Sequence, residues 1–184
     1  MRRVVRVVLA ALLAAPALAG VPACAQQIGR DHAGMAPAAD PFADRVLDLH
    51  NRERARMGLP PLAWSHDLAE DAGSWAQVLA REGRFEHSPP EQRRAQGESL
   101  FKGTAGAYSI DEMIGGFLAE SADFHPGAFP DVSRDGDWKK VAHYTQLIWR
   151  ETREVGCAVV RNGNWDYLAC RYMPAGNVVG MRVP

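Results

Sequence analysis

The sequence predicts a layered domain in which three or four helices pack on a largely antiparallel β-sheet. Two observations predict this fold class. Apolar residues recur at helical spacing in three segments between residues 41 and 117, and two segments rich in β-forming residues follow late in the chain, on either side of a turn. Helices followed by a late hairpin are typical of helices that cover an antiparallel sheet.

The first two helices have clear start and stop signals. Apolar residues recur at helical spacing over 42–49, and Gly58 ends the pattern, which predicts a first helix over about 41–57. Ser65 is a candidate N-cap for a second helix that ends near Gly83. The apolar face of this helix contains Leu68, Ala72, Trp75 and Leu79.

The middle of the chain is predicted to hold a strand, a third helix and a long loop. The segment 97–101 is apolar at its end and favours a strand, and Ser109 with Glu112 has the form of a capping box at the start of a helix. Residues 125–137 are rich in Pro, Gly and Asp and predict a long loop. Residues 140–149 predict a short helix, or a helix turning into a strand.

The late hairpin carries two cysteines and is expected to finish the domain. If Gly163-Asn164 is the two-residue turn, Cys157 faces Cys170, whereas a turn at Asn162-Gly163 places the two cysteines diagonally. We favour the first register because Cβ atoms that face each other lie within disulfide reach. In an oxidising compartment the sequence therefore predicts a disulfide between Cys157 and Cys170.

The start of the chain predicts a signal peptide. Three arginines precede an apolar run over residues 7–18, which is too short to span a bilayer. The predicted organisation is a signal peptide over 1–25, a flexible linker over 26–40 and one domain over 41–184. A leader rich in Ala and Arg is typical of bacteria, so we expect a bacterial protein of the periplasm or the extracellular space.

The point of cleavage stays open from the sequence. Small-x-small patterns precede both Gly20 and Gln26, and Cys24 lies in a segment that loosely resembles a bacterial lipobox. Cleavage before Gln26 removes Cys24 and leaves an even number of cysteines. The alternative is a protein that is anchored to a membrane by a lipid on Cys24.

The charge balance argues against a nucleic-acid partner. The 184-residue chain has 21 Lys and Arg against 22 Asp and Glu, and removing the leader takes away three arginines and no acid, which leaves a net charge of −4. Nucleic-acid binding needs a basic face, and the chain after residue 30 has only short basic pairs. A second apolar run of membrane length is absent too, so no transmembrane segment is expected in the mature chain.

Two histidines and two glutamates are the candidates for chemistry. His87, Glu98, Glu120 and His143 each lie at the edge of a predicted element rather than in a run of charges. Two imidazoles and two carboxylates suit the first shell of a divalent transition metal, and they equally suit general acid–base catalysis. Motifs with a mechanism of their own, such as His-Glu-x-x-His, do not occur. His50 is interpreted as a hydrogen-bonded structural histidine.

Two longer segments and several short ones point to a known family. Ala-His-Tyr-Thr-Gln-Leu-Ile-Trp over 142–149 and Tyr-Leu-Ala-Cys-Arg-Tyr-Met-Pro-Ala-Gly-Asn-Val over 167–178 resemble the two signature motifs of the CAP superfamily. That superfamily groups cysteine-rich secretory proteins, insect-venom antigen 5 and plant pathogenesis-related proteins. The shorter matching segments include His50-Asn51, Pro60-Pro61-Leu62, His87-Ser88, Gly97-Glu98 and Val155-Gly156-Cys157-Ala158.

The resemblance implies an α+β fold, namely a three-layer α-β-α sandwich with a central, mainly antiparallel sheet, called the SCP domain. It implies a central cleft that holds His87, Glu98, Glu120 and His143, with a divalent metal such as zinc as the cofactor and a sterol, another lipid or an extracellular protein as the partner. We therefore expect a secreted binding or interaction module with no catalytic residues. The alternative is a metal-assisted, peptidase-like hydrolase in which the same four residues are catalytic.

Overall fold

The computed structural model describes residues 40–184, so the predicted signal peptide, Cys24 and all but the last residue of the predicted linker lie outside it. The described helices are α1 (Pro41–Arg56), α2 (His66–Glu82), α3 (Ile110–Ala119) and α4 (Ala142–Leu147). The strands are β1 (Ala63–Trp64), β2 (Gly97–Thr104), β3 (Gly127–Ala128), β4 (Glu154–Asn162), β5 (Trp165–Met173) and β6 (Arg182–Val183). No helix in this part of the chain is both long and apolar enough to cross a membrane.

The main sheet has four strands in the order β1-β4-β5-β2. The pairs β4–β5 and β5–β2 are antiparallel, and the short β1 lies parallel to β4, which confirms a mainly antiparallel sheet. A separate two-stranded sheet joins β3 to β6. The expectation that the cysteine hairpin finishes the fold is therefore wrong, because residues 182–183 return to pair with the segment predicted as a loop. Strands of two residues are too short to produce a periodic sequence signal.

Side-chain alternation along β5 divides the interior into two cores, as expected for a strand. Leu168, Cys170 and Tyr172 face the core that contains apolar residues of α1, α3 and α4. Tyr167 and Ala169 face the core that contains the apolar side of α2. The sheet thus lies between α2 on one face and the other three helices on the opposite face, which confirms the three-layer α-β-α sandwich.

Local signals fix the start and end of α2, as the sequence predicts. The Ser65 hydroxyl accepts a hydrogen bond from the Leu68 amide at 3.3 Å, and Gly83 ends the helix at a φ of +68°. Gly156 on β4 lets the start of this helix lie close to the sheet, because a Cβ at that position would overlap backbone atoms of Ser65 and Ala69. A larger residue at 156 would push α2 away from the sheet.

The register of the hairpin decides between the two alternatives for the cysteines. Asn162 faces Trp165, so the turn is Gly163-Asn164, and Cys157 lies directly opposite Cys170. The two cysteines form a disulfide between the two central strands of the sheet. The favoured register and the predicted pairing are confirmed.

Two buried polar side chains of α1 hold the helix against the rest of the domain. The Arg54 guanidinium is wholly buried and donates to the backbone carbonyls of Leu147, Trp149 and Thr152 at 2.8–3.1 Å, which fixes the chain where α4 ends. Burial lowers the pKa of Arg54 to about 10. His50 is also wholly buried; its Nδ1–H donates to the Val46 carbonyl at 2.8 Å, and burial lowers its pKa to about 4. His50 is a structural histidine, as expected.

Candidate functional site

Three of the four predicted site residues line an open cleft of about 400 Å³, and the four form two histidine–glutamate pairs. His87, Glu98 and His143 line the cleft, whereas Glu120 is not among the lining residues. Glu98 contacts His87, and Glu120 contacts His143. Each imidazole therefore has its own carboxylate, and the role of the four residues as metal ligands stays a prediction.

The first pair joins a loop to the sheet. His87 lies in the loop after α2, and Glu98 is the second residue of β2. The distance from His87 Nδ1 to Glu98 Oε1 is 2.7 Å. The Glu98 side chain is wholly buried, whereas the His87 side chain is 56% exposed. The imidazole is thus accessible to solvent while the group that orients it is not.

Glu98 is held by three further contacts. The Ser88 amide donates to Oε1 at 3.0 Å, and the Ser88 hydroxyl donates to Oε2 at 2.8 Å. Arg171 Nη2 lies 3.0 Å from Oε2, because Arg171 on β5 is the cross-strand neighbour of Glu98 on β2. Burial alone would raise the pKa of Glu98, but the hydrogen bonds from His87 and Ser88 and the Arg171 charge together lower it below its ordinary value. Glu98 is therefore an ionised, buried carboxylate at neutral pH.

The second pair joins the end of α3 to the start of α4. Glu120 follows α3 directly, and its Oε1 lies 2.6 Å from His143 Nδ1. Its Oε2 accepts from the backbone amides of His143 and Tyr144, both at 3.0 Å. Amides in the first turn of a helix have no partner within the helix, so a carboxylate there is stabilised by them. The His143 ring also stacks on Phe117, with ring centroids 4.5 Å apart.

The two pairs leave the same atom of each imidazole available. An ionised carboxylate only accepts hydrogen bonds, so Nδ1 of His87 and of His143 carries a proton, and Nε2 is the nitrogen that has the lone pair in the corresponding neutral tautomer. Each carboxylate oxygen is already engaged. Within residues 40–184 no group of three or more His, Cys, Asp or Glu side chains is arranged to hold a metal ion. The two glutamates are thus placed as partners of the histidines, and a carboxylate in that position orients an imidazole through its opposite ring nitrogen.

Several residues at the cleft were not identified from the sequence. Arg171 and Ser88 hold Glu98, while Asn177 lines the cleft. Asn177 accepts from the Thr145 hydroxyl at 2.7 Å and donates to the Ala142 carbonyl at 2.9 Å. These contacts fix the segment after β5 against α4. The pairing of Arg171 with Glu98 could have been inferred only from the register of β2 against β5, because the motif that contains Arg171 does not show which residue lies across the strand from it.

The family of the chain follows from comparison with known proteins. The sequence profile of the CAP, or cysteine-rich secretory protein, family matches residues 47–172. The chain is 32% identical over 138 residues to the pathogenesis-related protein of PR-1 type from Sambucus nigra, covering 74% of this chain and 78% of that protein. It is 34% identical to the secreted protein RBT4 of Candida albicans, of which it covers 36% of the length. The chain belongs to the cysteine-rich secretory protein family.

Solved structures agree on the fold. NaASP2, whose crystal structure was determined with Zn2+, superposes with a TM-score of 0.66 at 24% identity, covering 78% of this chain and 85% of that one. BmVAL-1 superposes with a TM-score of 0.60 at 22% identity, covering 79% of this chain and 83% of that one. At these identities the likeness establishes the architecture alone.

Proposed function

We propose that this chain is a secreted binding domain, without catalytic residues, whose cleft binds a divalent transition metal through Nε2 of His87 and Nε2 of His143. Zinc is the first candidate. The observation that carries the proposal is the pair of imidazoles in one cleft, each with Nδ1 held by its own carboxylate. The glutamates Glu98 and Glu120 act as orienting groups in this proposal.

The chemistry of the donor set supports a metal of this kind. Imidazole nitrogen is a preferred ligand of zinc, and a carboxylate on the opposite ring nitrogen fixes the tautomer and makes the ligating nitrogen more basic. Bound zinc would supply a positive charge and open coordination positions in the cleft. The neighbour NaASP2 was crystallised with Zn2+, which concerns that protein and makes zinc the first metal to test here.

The geometry favours binding over metal-assisted hydrolysis. A general base needs a free oxygen within reach of a water or a substrate proton. Glu98 is buried and engaged by Ser88, His87 and Arg171, and Glu120 is engaged by two amides and His143. The Ser88 hydroxyl donates to Glu98 and not to a histidine, so it is not activated as a nucleophile.

Secretion and the identity of the partner belong to the same proposal. A disulfide between central strands suits an oxidising compartment, and the chain belongs to a family of secretory proteins. The choice between periplasm, extracellular space and a lipid anchor on Cys24 stays a prediction. A sterol or another lipid as the ligand, and an extracellular protein as the partner, are proposals that depend on the family resemblance alone.

Zinc titration of the purified protein by calorimetry tests the proposal. We expect one site in the wild type, and at least tenfold weaker binding for His87→Ala and for His143→Ala, because each removes one of two protein ligands. His66 is exposed at the start of α2 and away from the cleft, so His66→Ala is the matched control and should bind zinc like the wild type. Bound zinc should also raise the free energy of unfolding. The proposal would be contradicted if the wild type showed neither a heat of zinc binding nor a rise in the free energy of unfolding with zinc. It would also be contradicted if both cleft variants bound zinc as tightly as the wild type.

A further inference from the structure

The cleft is lined by one arginine and one glutamate beside two histidines. Among the described residues that line it, Glu98 is the one acid, whereas Arg93 contributes a permanent positive charge beside the imidazoles of His87 and His143. The second glutamate of the site, Glu120, contacts His143 but does not line the cleft. The ligand preference of the cleft therefore depends on how far Glu98 cancels this charge.

The negative charge of Glu98 is already balanced within the protein. Its carboxylate is wholly buried, and Arg171 Nη2 lies 3.0 Å from one of its oxygens. The Arg171 side chain is itself 3% exposed, so this ion pair is shielded from solvent. Arg171 does not line the cleft, so it balances the charge of Glu98 from outside the lining, and Arg93 is the permanent positive charge among the described lining residues.

Arg93 has no carboxylate partner of its own among residues 40–184. The neighbouring ion pairs of this region are made by Arg84 with Glu82 and Glu86. Arg93 follows a single turn of 3-10 helix, Pro90–Gln92, and its side chain is partly buried. Burial lowers the pKa of Arg171, the charges of Glu98 and Asp71 raise it, and the nearby charge of Arg93 lowers it, which places the two guanidinium groups in the same region.

The rest of the cleft wall is apolar in part. Pro90, Trp138, Ala142 and Ala175 line it together with the polar groups. Trp138 is 37% exposed, and its ring packs edge-to-face against Phe129, with ring centroids 5.2 Å apart. A cavity of about 400 Å³ is within the range of small-molecule sites. The space therefore suits an organic molecule and not an inorganic ion alone.

We infer that the cleft binds a small organic acid, whose carboxylate is bound by the metal and by the guanidinium of Arg93 and whose apolar part lies against Pro90 and Trp138. This inference depends on the metal site proposed above. Zinc held by two imidazoles keeps positions for an oxygen ligand, and the planar guanidinium matches the two oxygens of a carboxylate.

Calorimetry with two probes of the same shape tests the inference. Zinc-loaded protein is titrated with benzoate and, separately, with benzamide, which lacks the charge. We expect benzoate to bind at least tenfold tighter than benzamide. Arg93→Gln should weaken benzoate binding roughly fivefold, as for a partly exposed ion pair. Arg94 is exposed and does not line the cleft, so Arg94→Gln is the matched control and should bind benzoate like the wild type.

The outcomes separate this inference from the proposed function. Equal affinities for benzoate and benzamide, or equal affinities of the Arg93 and Arg94 variants for benzoate, would overturn the organic-acid inference while zinc binding stands. If the wild type binds no zinc, the proposed function fails, and the benzoate titration is repeated on metal-free protein. Binding that depends on Arg93 then supports the carboxylate site, and the absence of binding overturns it.

Discussion

The two histidines of the cleft are held in nearly the same geometry by physically different means. The Nδ1–Oε1 distance is 2.7 Å for His87 and Glu98 and 2.6 Å for His143 and Glu120. Glu98 is wholly buried beside a buried arginine, whereas the Glu120 side chain is 18% exposed and its second oxygen accepts from backbone amides. The first arrangement depends on a buried ion pair, and the second depends on the start of a helix.

This difference matters because the two arrangements respond differently to the loss of charge. A buried ion pair contributes little net stability while it is intact, but removing one partner leaves the other as an uncompensated buried charge. Backbone amides at a helix start are neutral, and they still find an acceptor when a carboxylate becomes a carboxamide. The pair at His87 should therefore be sensitive to substitution and the pair at His143 tolerant.

The largest expected effect is on stability. Glu98→Gln leaves the Arg171 guanidinium buried without a counter-charge and should lower the free energy of unfolding by about 3–5 kcal/mol. Glu120→Gln exchanges charged for neutral hydrogen bonds near the surface and should cost about 1 kcal/mol. Urea denaturation without zinc measures both values.

A control at an exposed position completes this comparison. Glu70→Gln, on the solvent-facing side of α2, should change the free energy of unfolding by less than about 0.5 kcal/mol. Similar losses for the variants at 98 and 120 would mean that the Arg171 charge is not a significant part of the first pair.

The disulfide should have the next largest effect. Cys170 directly precedes Arg171 on β5, so the bond to Cys157 restrains the strand that carries the counter-charge of Glu98. Replacing both cysteines by alanine should cost about 2–3 kcal/mol, because the bond closes a loop between positions 13 apart. Denaturation of the double variant measures this cost. Mass spectrometry of unreduced peptides should show Cys157 linked to Cys170, and free thiols at both positions would refute the pairing.

Zinc affinity tests whether the two glutamates perform the same task. Losing an outer carboxylate that orients a ligating histidine typically weakens metal binding 10- to 100-fold. We expect Glu120→Gln to show this loss although its fold is nearly as stable as that of the wild type. Calorimetry with zinc measures the affinity. Wild-type affinity for this variant would mean that Glu120 does not orient His143 for a metal.

The smallest expected effect concerns the pH dependence of stability, to which Glu98 and His50 contribute in different pH ranges. The folded pKa of Glu98 is below its ordinary value of 4.5, so the stability that Glu98 provides is complete above pH 4.5 and is lost as pH falls through the folded pKa. His50 acts in another range, because its folded pKa of about 4 lies below the ordinary 6.5, so stability is lost as pH falls from 6.5 towards 4. The stability difference between wild type and Glu98→Gln should stay constant from pH 5 to 7 and shrink below pH 4.5. A difference that changes above pH 5 would contradict this assignment.

What the sequence could predict follows from the range of each interaction. Ser65 and the Ser109–Glu112 capping box act within one helical turn, so the starts of α2 and α3 could be read directly. The cysteine register required only counting from a tight turn. The two-residue strands β1, β3 and β6 exist because distant segments meet, and nothing local specifies them.

The same distinction between local and long-range interactions applies to the candidate site. His87, Glu98, Glu120 and His143 could be selected as candidates because each lies at the edge of a predicted element, and the quoted motifs contain three of them, His87, Glu98 and His143. Their division into two pairs, and the contact of Arg171 with Glu98, depend on the packing of loops and on the register of β2 against β5. Arg171 lies within a recognised motif, but its role becomes visible only when its cross-strand neighbour is known.

The central claim is that each imidazole is held through Nδ1–H so that both Nε2 atoms are available to one metal. Nitrogen-15 NMR of the histidine side chains at neutral pH tests this claim directly. We predict the Nδ1–H tautomer for both His87 and His143 without metal, and on adding zinc a change at Nε2 of these two residues and not of His66. An Nε2–H tautomer at either residue, or zinc-induced changes confined to other histidines, would contradict the account.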